Sequence, residues 1–451
     1  MRSRKSTPAN GGGQEFEFRI SPEGRFALSF NLPMQLLPGF RDFYPDDCAR
    51  RNYIIATWRE VARRYGFVEY DGPLLEPVEL YKKKSGGELL GQLFDFTDKG
   101  NRHVSIRPEM TPTLARMVIA REREFKKPLR WFSASQFFRY EKQQKGRLRE
   151  FCQLNCDIIG EASVAADAEM LALTIDILRA FGLTEADFVV RVSDREAWLA
   201  FLRAKGIGDE RAGEFLPIID KIEREDAAAL GAKLAPFGLT LEEVREFIAN
   251  PGGHFEKFNA LSAELDARGM KPFYQLDPTV VRGLAYYTGV VFEVFDRGKT
   301  LRAIAGGGRY DNLVSVMSDG KLSLPAFGFG MGDVTLAQLI GLNSAATERM
   351  RSALAREAAA DLYVVIAKEE MRPQALGLVQ ELRNLGLRLD FPLSPAKVGK
   401  QFQAAEQAGA RLAILVGEEW PQVKVKTLAT REEKLFPAAD IAAQIKSLLS
   451  N

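Results

Sequence analysis

The amino-acid sequence predicts an α+β fold: an antiparallel sheet with flanking helices, a helical insertion, and a C-terminal α/β domain. Three patterns predict it. Across 104–160 the runs HVSIRP, LRWFSASQFFRY and EFCQLNCDIIG are strand-like, with one helical stretch, TPTLARMVIARE, among them. The last two runs flank the polar loop EKQQKGRLR and read as a long hairpin. From about 195 to 253 the text turns helix-rich and charge-rich, as in LPIIDKIERED and LTLEEVREFIANPGG. Beyond 361 strands alternate with helices, which implies a partly parallel sheet.

Taken in order, residues 1–33 form a tail and an extended arm, since EFEFRISPEGRFALSF alternates around Pro22-Glu23-Gly24. Residues 46–65 are apolar at helical spacing (Ile54, Trp58, Val61, Ala62, Tyr65), and Gly66 with FVEY makes helix then strand. An amphipathic helix follows over 165–181, then the strand FVVRVSD, then the inserted helical subdomain at about 195–253. Strands resume at YQLDPTVVRGLAYYTGVVFEVFD and LRAIAGGGRYD, and FGFGMGDVTLAQLIG closes a body spanning 34–342. The Ala/Arg/Glu-rich stretch 343–360 reads as a linker to the domain at 361–451.

At 451 residues the chain exceeds what one hydrophobic core usually supports, so two or three domains are expected. Apolar residues at 46% and charged residues at 27% exclude wholesale disorder. A formal charge of +2 leaves any polyanion to be held by local basic patches. Cys48, Cys152 and Cys156 do not describe a disulfide framework, which points to a reducing cytoplasm. With only His103 and His254 beside them, no tetrahedral shell is complete, so no dedicated protein metal site is expected. No apolar run approaches the ~20 residues of a membrane span. The opening MRSRKSTPANGGGQ is basic without an apolar stretch, a tail rather than a secretory signal, with organellar import as the alternative.

The densest cluster of candidate ligands is Arg139, Glu141, Arg147, Arg149 and Phe151 around the hairpin loop. Period-two alternation puts Arg139 and Glu141 on one face of their strand, and Phe151 and Gln153 on one face of the partner. A guanidinium, a carboxylate, an aromatic plate and a basic loop suit ATP lying flat on a sheet. The arginine would hold the α-phosphate, the carboxylate the adenine amino group, and the ring would stack on the base. Charges in a hairpin equally describe a solvated face. The glycine runs 306–308 and 328–332 lack the spacing of a dinucleotide fingerprint and read as close backbone approach.

PGFRDFYP at 38–45 and FRYEKQQKGRLREFCQLNCDIIG at 138–160 resemble the first two signatures of class II aminoacyl-tRNA synthetases. RPEMT at 107–111, RGLAYYTGVVFE at 282–293 and GGGRYD at 306–311 are similar to signatures of the histidyl enzymes. The chain therefore resembles the histidyl-tRNA synthetase family, in that family's motif order. This implies a class II synthetase-type sheet that activates histidine with ATP to histidyl-adenylate and transfers it to tRNA(His). It also implies a homodimer with the first motif at its interface.

Carried over by residue, the resemblance implies Glu109, Thr111 and Gln153 on the substrate α-amino group. Asp157, Tyr286 and Tyr287 belong to the histidine pocket, and Arg282 lies between the carboxylate and the α-phosphate. Outside this motif context Asp157 reads as a strand-edge charge and Tyr287 as a core aromatic. Gln144, Lys145 and Arg149 would touch the acceptor stem through phosphates. The segment from Asp361 resembles an anticodon-binding domain. The carboxylate attacks the α-phosphorus in line, so positioning and charge neutralisation do the work, with Mg²⁺ on the phosphates.

Two positions depart from the family pattern. Ala285 stands where RGL is usually followed by Asp, and the third signature, usually Gly-x-Glu-Arg, reads Gly332-Asp333-Val334-Thr335. Val334 is taken as the place of the missing arginine, with Arg147 or Arg309 as the compensating cation. The rival readings are non-catalytic paralogues: the regulatory subunit of ATP phosphoribosyltransferase, which lacks the C-terminal domain, and an RNA-binding protein that has lost ATP.

Overall fold

In a computed structural model the hairpin forms as two ten-residue strands, Leu129–Phe138 and Glu150–Ile159, paired antiparallel from Leu129 opposite Ile159 to Phe138 opposite Glu150. The structure describes residues 36–83, 87–142, 146–251, 256–282 and 286–450. The arm expected at 15–32 lies outside them, as do Gln144, Lys145 and Ala285.

The hairpin belongs to an eight-stranded sheet. Its spatial order is Val68–Glu69, Leu129–Phe138, Glu150–Ile159, Ala326–Gly332, Ala305–Arg309, Val290–Asp296, Phe188–Asp194 and Tyr274–Leu276. The central six strands pair antiparallel, and the two short edge strands pair parallel.

Because successive side chains point to opposite faces, one face carries Phe132, Leu154, Cys156, Phe292, Phe327, Phe329 and Met331. These pack against Trp58 and Val61 of helix Pro45–Arg64 and Leu171 and Ile175 of helix Val164–Ala180. Burying a Phe or Leu is worth roughly 1.5–3 kcal/mol, so this face fixes the sheet to its helices. The other face is polar or bare. Across it run the rows Asn155–Gly330–Gly306–Glu293 and Asp157–Gly328–Gly308–Val291.

The charge-rich segment forms helices Arg195–Ala204, Ala212–Ile219, Ala227–Leu234 and Leu241–Ala249 around a core of its own, with Trp198, Phe215 and Leu230 fully buried. A small sheet of Leu75–Pro77, His103–Ile106 and Phe94–Thr97 stands apart from the large one; only its His103–Ile106 strand was expected from the sequence. The stretch 343–360 is mostly a helix, Ser344–Ala358, capped by Asn343 and packed on the main core through Ala346 and Met350. Beyond it Leu389–Asp390, Leu362–Ile366 and Leu412–Val416 run parallel, and Gln422–Thr427 with Glu433–Pro437 completes a five-stranded mixed sheet. Among the described residues no helix is long and apolar enough to cross a membrane.

Candidate active site

The bare face of the large sheet floors a cleft of about 730 Å³ that brings together Arg139, Glu141, Arg147, Phe151, Gln153 and Arg282. The floor is glycine because side chains already fill the space above it. A Cβ on Gly306 would lie 2.5 Å from Arg282 Nη1, one on Gly328 2.0 Å from Asp157 Oδ1, and one on Gly330 2.4 Å from Gln153 Nε2.

At the outer end, Phe151 and Gln153 face the cleft from their strand, and Arg139 and Glu141 face it together from just beyond the end of theirs at Phe138. Arg139 still donates its backbone N–H to the Arg149 carbonyl at 2.9 Å, and Glu141 follows in a tight turn. Arg139 donates Nε to the Pro108 carbonyl at 2.9 Å, and its guanidinium sits 5.4 Å over the Phe151 ring. Glu141 is buried and pairs with Arg147 Nε at 2.5 Å. Arg149 is held at the loop base, stacked 4.1 Å from the Tyr140 ring centre and donating to the Glu141 and Pro38 carbonyls.

At the inner end, Arg282 pairs with Glu293 and sits at φ 56°, a left-handed conformation uncommon outside glycine and often found at functional sites. Its guanidinium lies 5.9 Å from the Tyr287 ring centre, the Tyr286 and Tyr287 rings pack tilted with their centres 4.9 Å apart, and Thr111, the first residue of helix Thr111–Ala120, stands beside Tyr286. Glu109 is buried within electrostatic reach of both phenols. Asp157 accepts from the Tyr310 hydroxyl at 2.5 Å, and the Tyr310 ring meets Tyr286 edge-on at 6.0 Å. Desolvation, then neighbouring negative charge, pushes Tyr286 and Tyr310 well above the ordinary phenol range, so both remain donors. Glu109, Thr111, Asp157, Tyr286 and Tyr287 thus form a polar group behind Arg282, beside the cleft lining.

Several cleft residues were not foreseen. Arg224 and Asp220 come from the insertion, Arg302 precedes the glycine strand, and Glu293 lies opposite Gly306. Glu293 closes the run RGLAYYTGVVFE and Tyr310 lies in GGGRYD, so both carried a signal; the other three did not. Counting along Gly-x-Glu-Arg, the missing arginine falls at Thr335 and the glutamate at Val334, correcting the assignment to Val334. Asp333 begins the following helix and accepts from Cys152 N–H and Arg41, each at 2.9 Å, joining the first and second signatures to the third. Arg309 cannot compensate at the cleft. It projects from the apolar face and is buried against Asp167 at 2.7 Å, with donors also on Asp311 and the Glu161 and Ser163 carbonyls. Cys156 is fully buried in the core, and desolvation, with Asp333 adding, raises the Cys152 thiol to about 11.

The histidyl-tRNA synthetase family model matches residues 39–334, and an anticodon-binding domain model matches 361–448. A histidine–tRNA ligase of Opitutus terrae is 44% identical over 445 residues, covering 92% of this chain and 99% of that one. The chloroplastic/mitochondrial histidine–tRNA ligase of Arabidopsis thaliana is 35% identical, covering 96% and 91%. Among solved structures, histidyl-tRNA synthetase from a Nostoc species matches with a TM-score of 0.70 at 24% identity, covering 92% and 99%. The apo S. aureus enzyme matches at 0.68 and 24%, covering 92% and 100%. At that identity these two establish the fold.

An arginine-lined cleft on a glycine-floored antiparallel sheet, followed by an anticodon-binding domain, defines a class II aminoacyl-tRNA synthetase. The chain belongs to the histidyl-tRNA synthetase family. It is a ligase that uses ATP to join histidine to tRNA. The anticodon-binding match at 361–448 disfavours the regulatory-subunit paralogue, which lacks that domain.

Proposed function

We propose that the two ends of the cleft divide the reaction. ATP lies at the outer end, with Arg139 on the α-phosphate, Glu141 on the adenine amino group, Phe151 against the base and Arg147 closing over it. Histidine lies at the inner end. Gln153, Glu109 and Thr111 take its α-amino group, Asp157, Tyr286 and Tyr287 face the imidazole, and Arg282 bridges its carboxylate to the α-phosphate. The observation that carries this reading is the position of Arg282, which lines the cleft with the outer residues and sets its guanidinium 5.9 Å from the ring centre of Tyr287 in the inner group.

Chemically, the carboxylate oxygen of histidine attacks the α-phosphorus and pyrophosphate leaves. Arg139 and Arg282 hold both partners in line and neutralise charge as it grows on the phosphorus oxygens. The buried phenols and Asp157 favour imidazole, because a side chain lacking its nitrogens leaves them unpaired. Glu293 and Asp220 face the cleft with hard oxygen donors, a set that fits Mg²⁺ held mainly by phosphate and water. Such an ion would neutralise the phosphates.

The body at 34–342 is the catalytic domain, with its insertion at 195–253, and the helix-bearing linker at 343–360 leads to the anticodon-binding domain at 361–451. Arg149, and with it Gln144 and Lys145, would meet the tRNA acceptor stem through its phosphates. The chain acts in the cytoplasm as a homodimer; exposed Leu36, Leu37 and Tyr44 around the first motif, with Leu74 and Leu75, support that face as the interface.

Substrate-specific kinetics test this division. Gln153→Ala and Asp157→Asn should raise KM for histidine about tenfold or more with KM for ATP nearly unchanged, and Phe151→Ala and Glu141→Gln should do the reverse. Variants that fail to sort by substrate would reject the assignment.

A further inference from the structure

Resting on the assignment of the outer cleft to ATP, we propose that Arg302 supplies the phosphate-binding positive charge that the third signature lacks. Both charged places of that signature hold uncharged residues, Val334 and Thr335. The reaction still requires a cation there, because charge developing on phosphate oxygens must be met by preorganised donors.

Arg302 stands beside the vacated place. Its Cδ lies 3.8 Å from where a Cβ on Gly146 would sit, and Thr335 Oγ1 lies 3.7 Å from the same point. Gly146 and Arg147 line the outer cleft, so Arg302 and Thr335 flank one spot beside them. Three residues on, Ala305 begins the glycine strand of the floor, and Ile304 between them is buried in the main core. The sheet thereby fixes where Arg302 stands.

Electrostatics point the same way. Partial desolvation, then the positive charges of Arg147 and Arg224, hold the Arg302 guanidinium below the ordinary arginine range, with Glu141 acting against them. Three arginines gathered at one opening repel one another until a polyanion lies between them. Five arginines and three carboxylates line the cleft, so it is net positive before any ligand enters. Arg309 faces the core, away from this opening.

The test is histidine-dependent exchange of pyrophosphate into magnesium ATP by the full chain, comparing wild type with Arg302→Gln, Arg302→Lys and the double variant Arg302→Gln/Thr335→Arg. Unfolding midpoints establish that each is folded. Arg302→Gln should lower kcat/KM for ATP about 10²–10³-fold, the range for losing one transition-state donor, while KM for histidine stays within about twofold. Arg302→Lys should retain at least about ten times the Gln value, and Thr335→Arg should restore at least about tenfold. If Arg302→Gln does not fold, the Lys variant decides: a loss as deep as about 10²-fold in folded protein contradicts a role for charge. Exchange in Arg302→Gln within about threefold of wild type, or no recovery in the double variant, overturns this proposal alone. Absence of exchange in the wild type overturns the ATP assignment and this proposal with it.

Discussion

Tyr310 donates its hydroxyl to Asp157 Oδ1 at 2.5 Å across the bare face of the sheet, in space left open because Gly328 has no side chain. The hydrogen bond joins two signatures 153 residues apart and holds a carboxylate in a fixed direction at a position the sheet backbone determines. A hydrogen bond to a charged group is worth about 1.5–3 kcal/mol, so Tyr310→Phe should raise KM for histidine roughly 10- to 100-fold and leave KM for ATP near wild type. Steady-state exchange at varied histidine and ATP measures this.

The glycine floor is equally specific. Gly306→Ala would put a methyl 2.5 Å from Arg282 Nη1, so the guanidinium must leave its place beside Glu293. Displacing a positioning group by about 1 Å can cost ~10²-fold, which is the expected fall in kcat for adenylate formation. Gly332→Ala, with open space around its Cβ, is the control and should stay close to wild type in the same single-turnover assay.

Arg309 should matter to stability. Its side chain and that of Asp167 are 7% and 3% exposed, and removing one partner of a buried ion pair costs about 3–5 kcal/mol. Arg309→Met should lower the denaturant midpoint accordingly, whereas Arg302→Gln should leave it almost unchanged. Urea unfolding of both variants separates the roles.

Acid should loosen the insertion first at helix Leu241–Ala249. Glu243 there is held at about 2, against an ordinary 4.5, by Lys205 first and then by the backbone and side chain of Thr240 in a capping box. A depressed folded value means the contribution is present above pH 4.5 and is lost as pH falls toward 2. Amide exchange in that helix should accelerate across this window in wild type, and Glu243→Gln should exchange faster already at neutral pH with a flatter profile.

The sequence made the large features legible because they are locally periodic. The ten-residue strands of the hairpin and the helix Val164–Ala180 repeat their apolar residues often enough to declare themselves. The three-residue strand Leu75–Pro77 is too short to show a period. Helix Ser344–Ala358 escaped notice because it buries little beyond Ala346, leaving no apolar stripe to read. In the site, residues inside contiguous signatures were found, and the structure brings Arg139, Glu141, Phe151, Gln153 and Arg282 to one cleft. Arg224 and Arg302 were not, since a charged residue between elements carries no local mark of what it faces. Arg309 was misread as a ligand because its sheet face depends on the register of a glycine strand, and glycines give no apolar alternation.

In the proposed division of the cleft, Arg139 and Arg282 hold histidine and ATP in line for adenylate formation. Histidine-dependent exchange of pyrophosphate into ATP by wild type, Arg139→Ala and Arg282→Ala tests it most directly. With both arginines in these roles, exchange should require histidine and fall about 10²–10³-fold in each folded variant. Exchange that persists near the wild-type rate in either variant, or that proceeds without histidine, would contradict it.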